Sequence, residues 1–161
     1  MSETPVIEIR DLCFSYETQE VLHKVNFSVN SHSFVGVVGP NGGGKTTLIK
    51  LLLGLLKPSK GTVRIMGKDP EEIRSRIGYV MQHMYYDHAF PATVLDVVLM
   101  GRVAKRAFGF YGHRDREYAR EALKEVGLEH KKAFPFAQLS GGQQQRVIIA
   151  MAFITRPRLL V

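Results

Sequence analysis

Apolar positions in the first third of the chain fall in short runs with a period of two. Val6-Ile7-Glu8-Ile9 and Leu12-Cys13-Phe14-Ser15-Tyr16 group β-forming residues, and Val25-Asn26-Phe27-Ser28-Val29 alternates as a half-buried strand does. Ser33-Phe34-Val35-Gly36-Val37-Val38 is apolar throughout, which predicts a buried strand of a parallel sheet. After a glycine-rich turn, Leu48, Ile49, Leu51, Leu52 and Leu55 recur at helical spacing and predict a helix over residues 47–56, ended by Lys57-Pro58. Residues 61–67 read as another strand, and residues 77–82 as a second buried one.

The middle of the chain changes period. Thr93 is placed to cap a helix over residues 94–100, with Gly101 as its end. Residues 108–112 read as a loop. Tyr118, Ala119, Ala122, Leu123 and Val126 share one side of an amphipathic helix over 114–126, terminated by Gly127. A third helix spans 141–155 and stops at Pro157, and Leu159-Leu160-Val161 begins a strand. Strand, glycine loop and helix, then a helical block, then strand again predict an α/β core with a helical insertion. Repeats, heptad runs and low-complexity segments are absent from the sequence.

Composition narrows the class. At 161 residues, 45% hydrophobic and 23% charged, the chain is the size of one globular domain. Apolar runs are interrupted by Gly, Lys or Arg before they reach membrane-spanning length, and Met1-Ser2-Glu3-Thr4-Pro5 has no secretory-signal character. The single cysteine, Cys13, permits no internal disulfide and suits a reducing cytosol. A net charge of +7 raises the question of nucleic acid or an anionic membrane. The basic residues are scattered, however, with loose clusters at 102–106 and at Lys131-Lys132, and are read as solvated surface.

The strongest chemical signal is Gly39-Pro40-Asn41-Gly42-Gly43-Gly44-Lys45-Thr46, which has the spacing G-x-x-x-x-G-K-[ST] and runs on into Thr47. Glycines let backbone N–H groups turn inward as an anion nest, and a helix starting near Lys45 aims its positive end at the same point. Lys45 can reach terminal phosphates, and the Thr46 hydroxyl can ligate Mg²⁺. Leu139-Ser140-Gly141-Gly142-Gln143, followed by Gln144-Gln145-Arg146, lies about a hundred residues further on and opens the third helix.

Together the two motifs resemble the ATP-binding cassette (ABC) family, and residues 139–143 match its signature without a mismatch. The resemblance covers residues 6–161. It implies a P-loop NTPase fold: a mixed sheet with an N-terminal antiparallel β part and an inserted α-helical subdomain, incomplete at the C-terminus. Residues 1–86 and 156–161 would form the α/β core, and 87–155 the helical subdomain with the signature helix. In such cassettes two copies pack head to tail, so Ser140, Gly141, Gly142 and Gln143 would face ATP held on a partner's phosphate loop. The implied partners are a second cassette (a homodimer), transmembrane permease subunits and, indirectly, a substrate-binding protein, with no nucleic acid. The implied cofactors are ATP and Mg²⁺, and the implied location is the cytoplasmic face of the cell membrane.

Two more positions follow from the resemblance. Tyr16 stands where an adenine-stacking aromatic is expected, a contact worth roughly 1–3 kcal/mol in related settings; its alternative is a core tyrosine. Gln82, like Lys45 a catalytic candidate, matches the glutamine that reaches Mg²⁺ and the attacking water, and an amide suits that role because it does not titrate. Met81 replaces the usual proline before it.

Residues 87–102 are similar to the corresponding stretch of zinc and manganese importers, and less closely to iron-chelate importers. Met84, Tyr85 and Tyr86, just before that stretch, and Phe90 within it offer an apolar surface for a permease helix, or simple packing. In the family, Val161 would be followed by one apolar residue, an aspartate and a glutamate, and later by a histidine. None of the six histidines stands in that context or at metal-ligand spacing. The expectation is an energy-coupling ATPase subunit of a divalent-metal importer whose 161 residues alone bind nucleotide weakly and do not turn it over. A DNA-acting ABC ATPase is the other class; the stretch 83–138 carries no heptads for the coiled coil that it needs.

Overall fold

The computed structural model describes residues 4–81, 91–103 and 110–161. The chain divides into two compact units, 1–74 and 75–161.

The first unit is built on a three-stranded antiparallel sheet in the order β2-β1-β3, with β1 at Ile7–Tyr16, β2 at Gln19–Val29 and β3 at Lys60–Ile65. The two short runs expected at the N-terminus are one strand, deformed at Asp11, which has φ 46°. Alternation survives on either side of that deformation, so Ile7, Ile9, Leu12 and Phe14 are all buried. Helix α1, Lys45–Leu52, buries Leu48, Leu51 and Leu52 alongside Val63 and Ile65 of β3. It begins two residues before the expected start and ends four before the expected stop, in a turn through Leu53 and Gly54. The Arg74 guanidinium closes that end, donating from Nε to Leu53 O at 3.1 Å and from Nη2 to Gly54 O at 2.5 Å. A short helix α2, Pro70–Ile73, has Pro at its first position and two glutamates in its first turn, a start signal too brief for periodicity to register.

Residues 33–38 form no strand: Phe34 is fully exposed, Val38 nearly so, and Val35 and Val37 are about half exposed. A continuous apolar run encodes burial by neighbours on both faces and both edges, and those neighbours are distant in sequence. Strands β1 to β3 pair among themselves, and residues 33–38 join neither free edge of that sheet.

The second unit holds a small parallel pair and a helical cluster. Strand β4 is only Ile77–Gly78, shorter than the expected 77–82, and pairs with β5, Leu159–Leu160. Ladder-type bonds continue to Val80, whose N–H donates to Val161 O at 2.9 Å. Helices α3 (Val94–Met100), α4 (His113–Glu125) and α5 (Gly141–Phe153) pack on one another. Their shared core includes Val94, Val98, Leu99, Leu123, Val147 and Ile154. Thr93 caps α3 as expected, its Oγ1 accepting from Asp96 N while Asp96 Oδ2 accepts from Thr93 N. Gly101 lets α3 end against α5: a Cβ there would stand 2.2 Å from Met151 O.

Arg102 departs from the reading of its cluster as solvated surface. Its side chain is 17% exposed, and its Nε donates to Asp115 Oδ1 at 2.6 Å. Asp115 Oδ2 also accepts from Gly112 N at 2.9 Å, closing the start of α4. The Tyr118 ring is met by two guanidiniums, Arg102 and Arg156, each 4.8 Å from its centre. Among the described residues no helix is long and apolar enough to cross a membrane.

Candidate functional site

In the first unit, the phosphate-loop motif occupies the turn into α1. Gly43 N donates to Pro40 O at 3.2 Å, and Leu48 N to Gly44 O at 2.8 Å, so the loop passes directly into helical bonding. Gly44 is the N-cap residue with φ 80° and ψ 1°, a conformation that costs an L side chain strain. It is also pressed against β2: a Cβ would stand 2.8 Å from Leu22 Cδ2 and 3.2 Å from Val21 O. Among the described residues no side chain caps α1, and no acidic residue lies in its first turn. Its leading N–H groups therefore meet neither a side-chain acceptor nor a local negative charge.

The residues fit a phosphate chain. Gly39 and Gly42 have open space where a Cβ would sit, and Pro40 and Asn41 are exposed beside them. The Lys45 ammonium curls back over the loop, donating to Gly39 O at 2.8 Å and Pro40 O at 2.6 Å. It thus sits at the loop on neutral acceptors that phosphate oxygens would outcompete. Thr46 is exposed and Thr47 buried, so the hydroxyl available to a magnesium ion is that of Thr46. Gln82, the other expected Mg²⁺ ligand, lies outside the described residues, as do Met84, Tyr85, Tyr86 and Phe90.

Tyr16 ends β1 and is 44% exposed, which excludes the core-tyrosine alternative. Its ring meets Phe14 edge-on, 4.8 Å between centres at 83°. Phe14 is the register partner of Leu22, the residue against which Gly44 is pressed. Tyr16 and the end of the phosphate loop therefore flank the same stretch of hairpin.

In the second unit, the Leu139–Gln143 motif is split between core and surface. Leu139 is buried at 6% exposure, whereas Ser140, Gly141 and Gly142 are exposed with open space around both glycines. Ser140 caps α5: its Oγ accepts from Gln143 N at 3.4 Å, and Gln143 Oε1 accepts from Ser140 N at 3.2 Å. Lys131, read from sequence only as part of a basic cluster, donates from Nζ to Gln143 Oε1 at 3.4 Å. It adds a cation beside a positive helix end, and twelve residues of separation hide that pairing from any motif.

A family model described as "ABC transporter" matches residues 22–161. The zinc uptake system ATP-binding protein ZurA of Listeria innocua is 38% identical over 160 residues, covering 97% of this chain and 62% of that protein. The manganese transport system ATP-binding protein MntB of Bacillus subtilis is 42% identical over 147 residues, covering 91% of this chain and 59% of that protein. Among solved structures, cbiO1 of Clostridium perfringens, part of the ABC transporter complex cbiONQ, superposes with a TM-score of 0.82 at 30% identity. That match covers 98% of this chain and 64% of cbiO1. The chain thus spans about six-tenths of the length of the relatives it matches.

Proposed function

The chain belongs to the ABC transporter family, and from that premise we propose that it binds ATP with Mg²⁺ on residues 39–47 and serves, within the whole protein, as the energy-coupling ATPase subunit of a zinc or manganese importer. The observation that carries the nucleotide reading is the start of α1: an uncapped helix end, open glycines and the Lys45 ammonium meet at one turn. In this reading Gly39, Gly42, Gly43 and Gly44 cradle the phosphates and Lys45 neutralises them. Pro40 and Asn41 shape the loop's outer side, and Tyr16 stacks on the base. Thr46 and Gln82 would hold Mg²⁺, which would supply positive charge against the phosphates.

The outward face of Ser140, Gly141 and Gly142 supports a head-to-tail homodimer in which this second helix end meets the partner's ATP. Residues 1–86 and 156–161 would act as the nucleotide core, and 87–155 as the helical part that meets permease subunits at the cytoplasmic face of the membrane. A substrate-binding protein would act at one remove. The relatives named for zinc and manganese support the cargo. The helices described between Gln82 and the signature, Val94–Met100 and His113–Glu125, are 7 and 13 residues long, which disfavours a DNA-acting ATPase with coiled-coil arms.

A titration of the chain with fluorescent ATP in the presence of Mg²⁺ tests the nucleotide reading. Lys45→Ala is expected to weaken binding by about tenfold or more, since a hydrogen bond to a charged group is worth about 1.5–3 kcal/mol. Equal affinity in the variant would remove the reading. For cargo, deletion of the gene should leave growth dependent on added zinc or manganese. Rescue by an iron chelate alone would favour the iron-chelate alternative.

A further inference from the structure

From Leu12 to Tyr16 of β1, the facing part of strand β2 carries two extra residues. Phe14 pairs with Leu22 and Ser15 with Glu20, so Val21 is unpaired; Leu12 pairs with Val25, so a second extra residue falls at His23–Lys24. Without the first bulge Glu20 would share the core face with Leu22. With it, Glu20 joins His23 on the opposite face, where Cys13 stands between the buried Leu12 and Phe14. The three ligand atoms, Cys13 Sγ, a Glu20 carboxylate oxygen and a His23 ring nitrogen, lie within 4.8 Å of one another. His23 Nδ1 is 3.0 Å from Glu20 Oε1, and Lys24 N donates to Cys13 Sγ at 3.3 Å.

From this cluster we propose that Cys13, Glu20 and His23 form a surface site for Zn²⁺, with water as the fourth ligand. Thiolate, imidazole and carboxylate are the donors zinc takes. Bonds of about 2.0–2.3 Å place tetrahedral ligand atoms about 3.3–3.7 Å apart, so side chains whose ligand atoms already lie within 4.8 Å need only rotate slightly to close on the ion. The Lys24 amide supplies the outer-shell hydrogen bond that a metal-bound thiolate accepts. Binding releases the thiol proton to solvent. Lys60, the exposed register partner of Cys13 on β3, opposes the cation and sets a limit on affinity. The site is separate from the phosphate loop and needs no nucleotide. It would clamp the hairpin that ends in Tyr16 across both bulges.

Because Cys13 is the sole cysteine, its reactivity reports this site alone. In the untagged 161-residue chain without nucleotide, one equivalent of Zn²⁺ should slow reaction of the thiol with a disulfide reagent, a chelator should reverse the effect, and Mg²⁺ should have none. Cobalt(II) should give a thiolate-to-metal charge-transfer band. His23→Ala, an exposed position whose loss leaves the fold intact, should weaken zinc protection at least about tenfold, because loss of even an outer-shell partner costs that much. A thiol that stays reactive at saturating zinc, or cobalt bound without the thiolate band, would overturn the proposal. Unchanged protection in His23→Ala would overturn it equally, and circular dichroism separates a ligand effect from unfolding.

Discussion

Helices α1 and α5 both begin at glycine-bearing turns, and the two turns are held in opposite ways. At α5 the turn is anchored by a buried side chain, Leu139, and closed by a reciprocal cap between Ser140 and Gln143. At α1 there is no cap; the turn is fixed by a left-handed glycine pressed on Leu22 and by the Lys45 ammonium resting on two carbonyls. A capped end has spent part of its donor capacity inside the protein, so it presents a shaped but partly satisfied surface. An uncapped end keeps its N–H groups for a ligand and depends on that ligand for completion. The contrast puts the same residue type, glycine, in a left-handed, uncapped turn at one helix and on an open, capped outward face at the other.

The contrast can be broken most severely at the anchor. Leu139→Ala should cost about 2–5 kcal/mol of stability, read as a shift of the urea midpoint, because the signature turn loses its hold on the helical core. A loss below half a kilocalorie would mean that the cap alone holds the turn. Next in size is Gly44→Ala, for which strain at φ 80° predicts a loss of about 1–3 kcal/mol. ATP binding should fall with it, so a variant that melts as before and still binds nucleotide would show that the loop does not depend on this glycine. Smallest is Ser140→Ala, about 1 kcal/mol, with Ser140→Gly costing only a few tenths. Faster hydrogen exchange at the Gln143 amide should accompany the alanine change, while nucleotide affinity of the single chain stays the same.

How much of this was legible from residues alone depended on how local each determinant is. Helix α3 has the expected bounds because Thr93, Asp96 and Gly101 write its start and stop within nine residues. The start of α1 was legible to within two residues for the same reason, since the loop motif is contiguous. Residues 33–38 were misjudged because an apolar run records a need for neighbours without saying which strands meet it. The Cys13–Glu20–His23 cluster was invisible: uninterrupted alternation puts Glu20 and His23 on opposite faces, and the bulge at Val21 that reunites them leaves no composition signal. Arg102 could not be told from its basic neighbours until its partner Asp115, thirteen residues away, was placed beside it.

The guanidinium of Arg74 gives α1 an unusual charge balance. It satisfies carbonyls at the negative end of the helix, and Lys50 stands in the last turn, while the first turn contains no acidic residue. The helix is thus compensated at one pole only. In the proposed function an anion at the other pole would complete the electrostatics of this unit, so nucleotide binding and folding would be linked quantities. By mass action, a ligand at a hundred times its dissociation constant adds about 2.7 kcal/mol to the folded state. Nucleotide would then behave as a structural component of this unit, and its melting temperature would rise with the logarithm of ATP concentration.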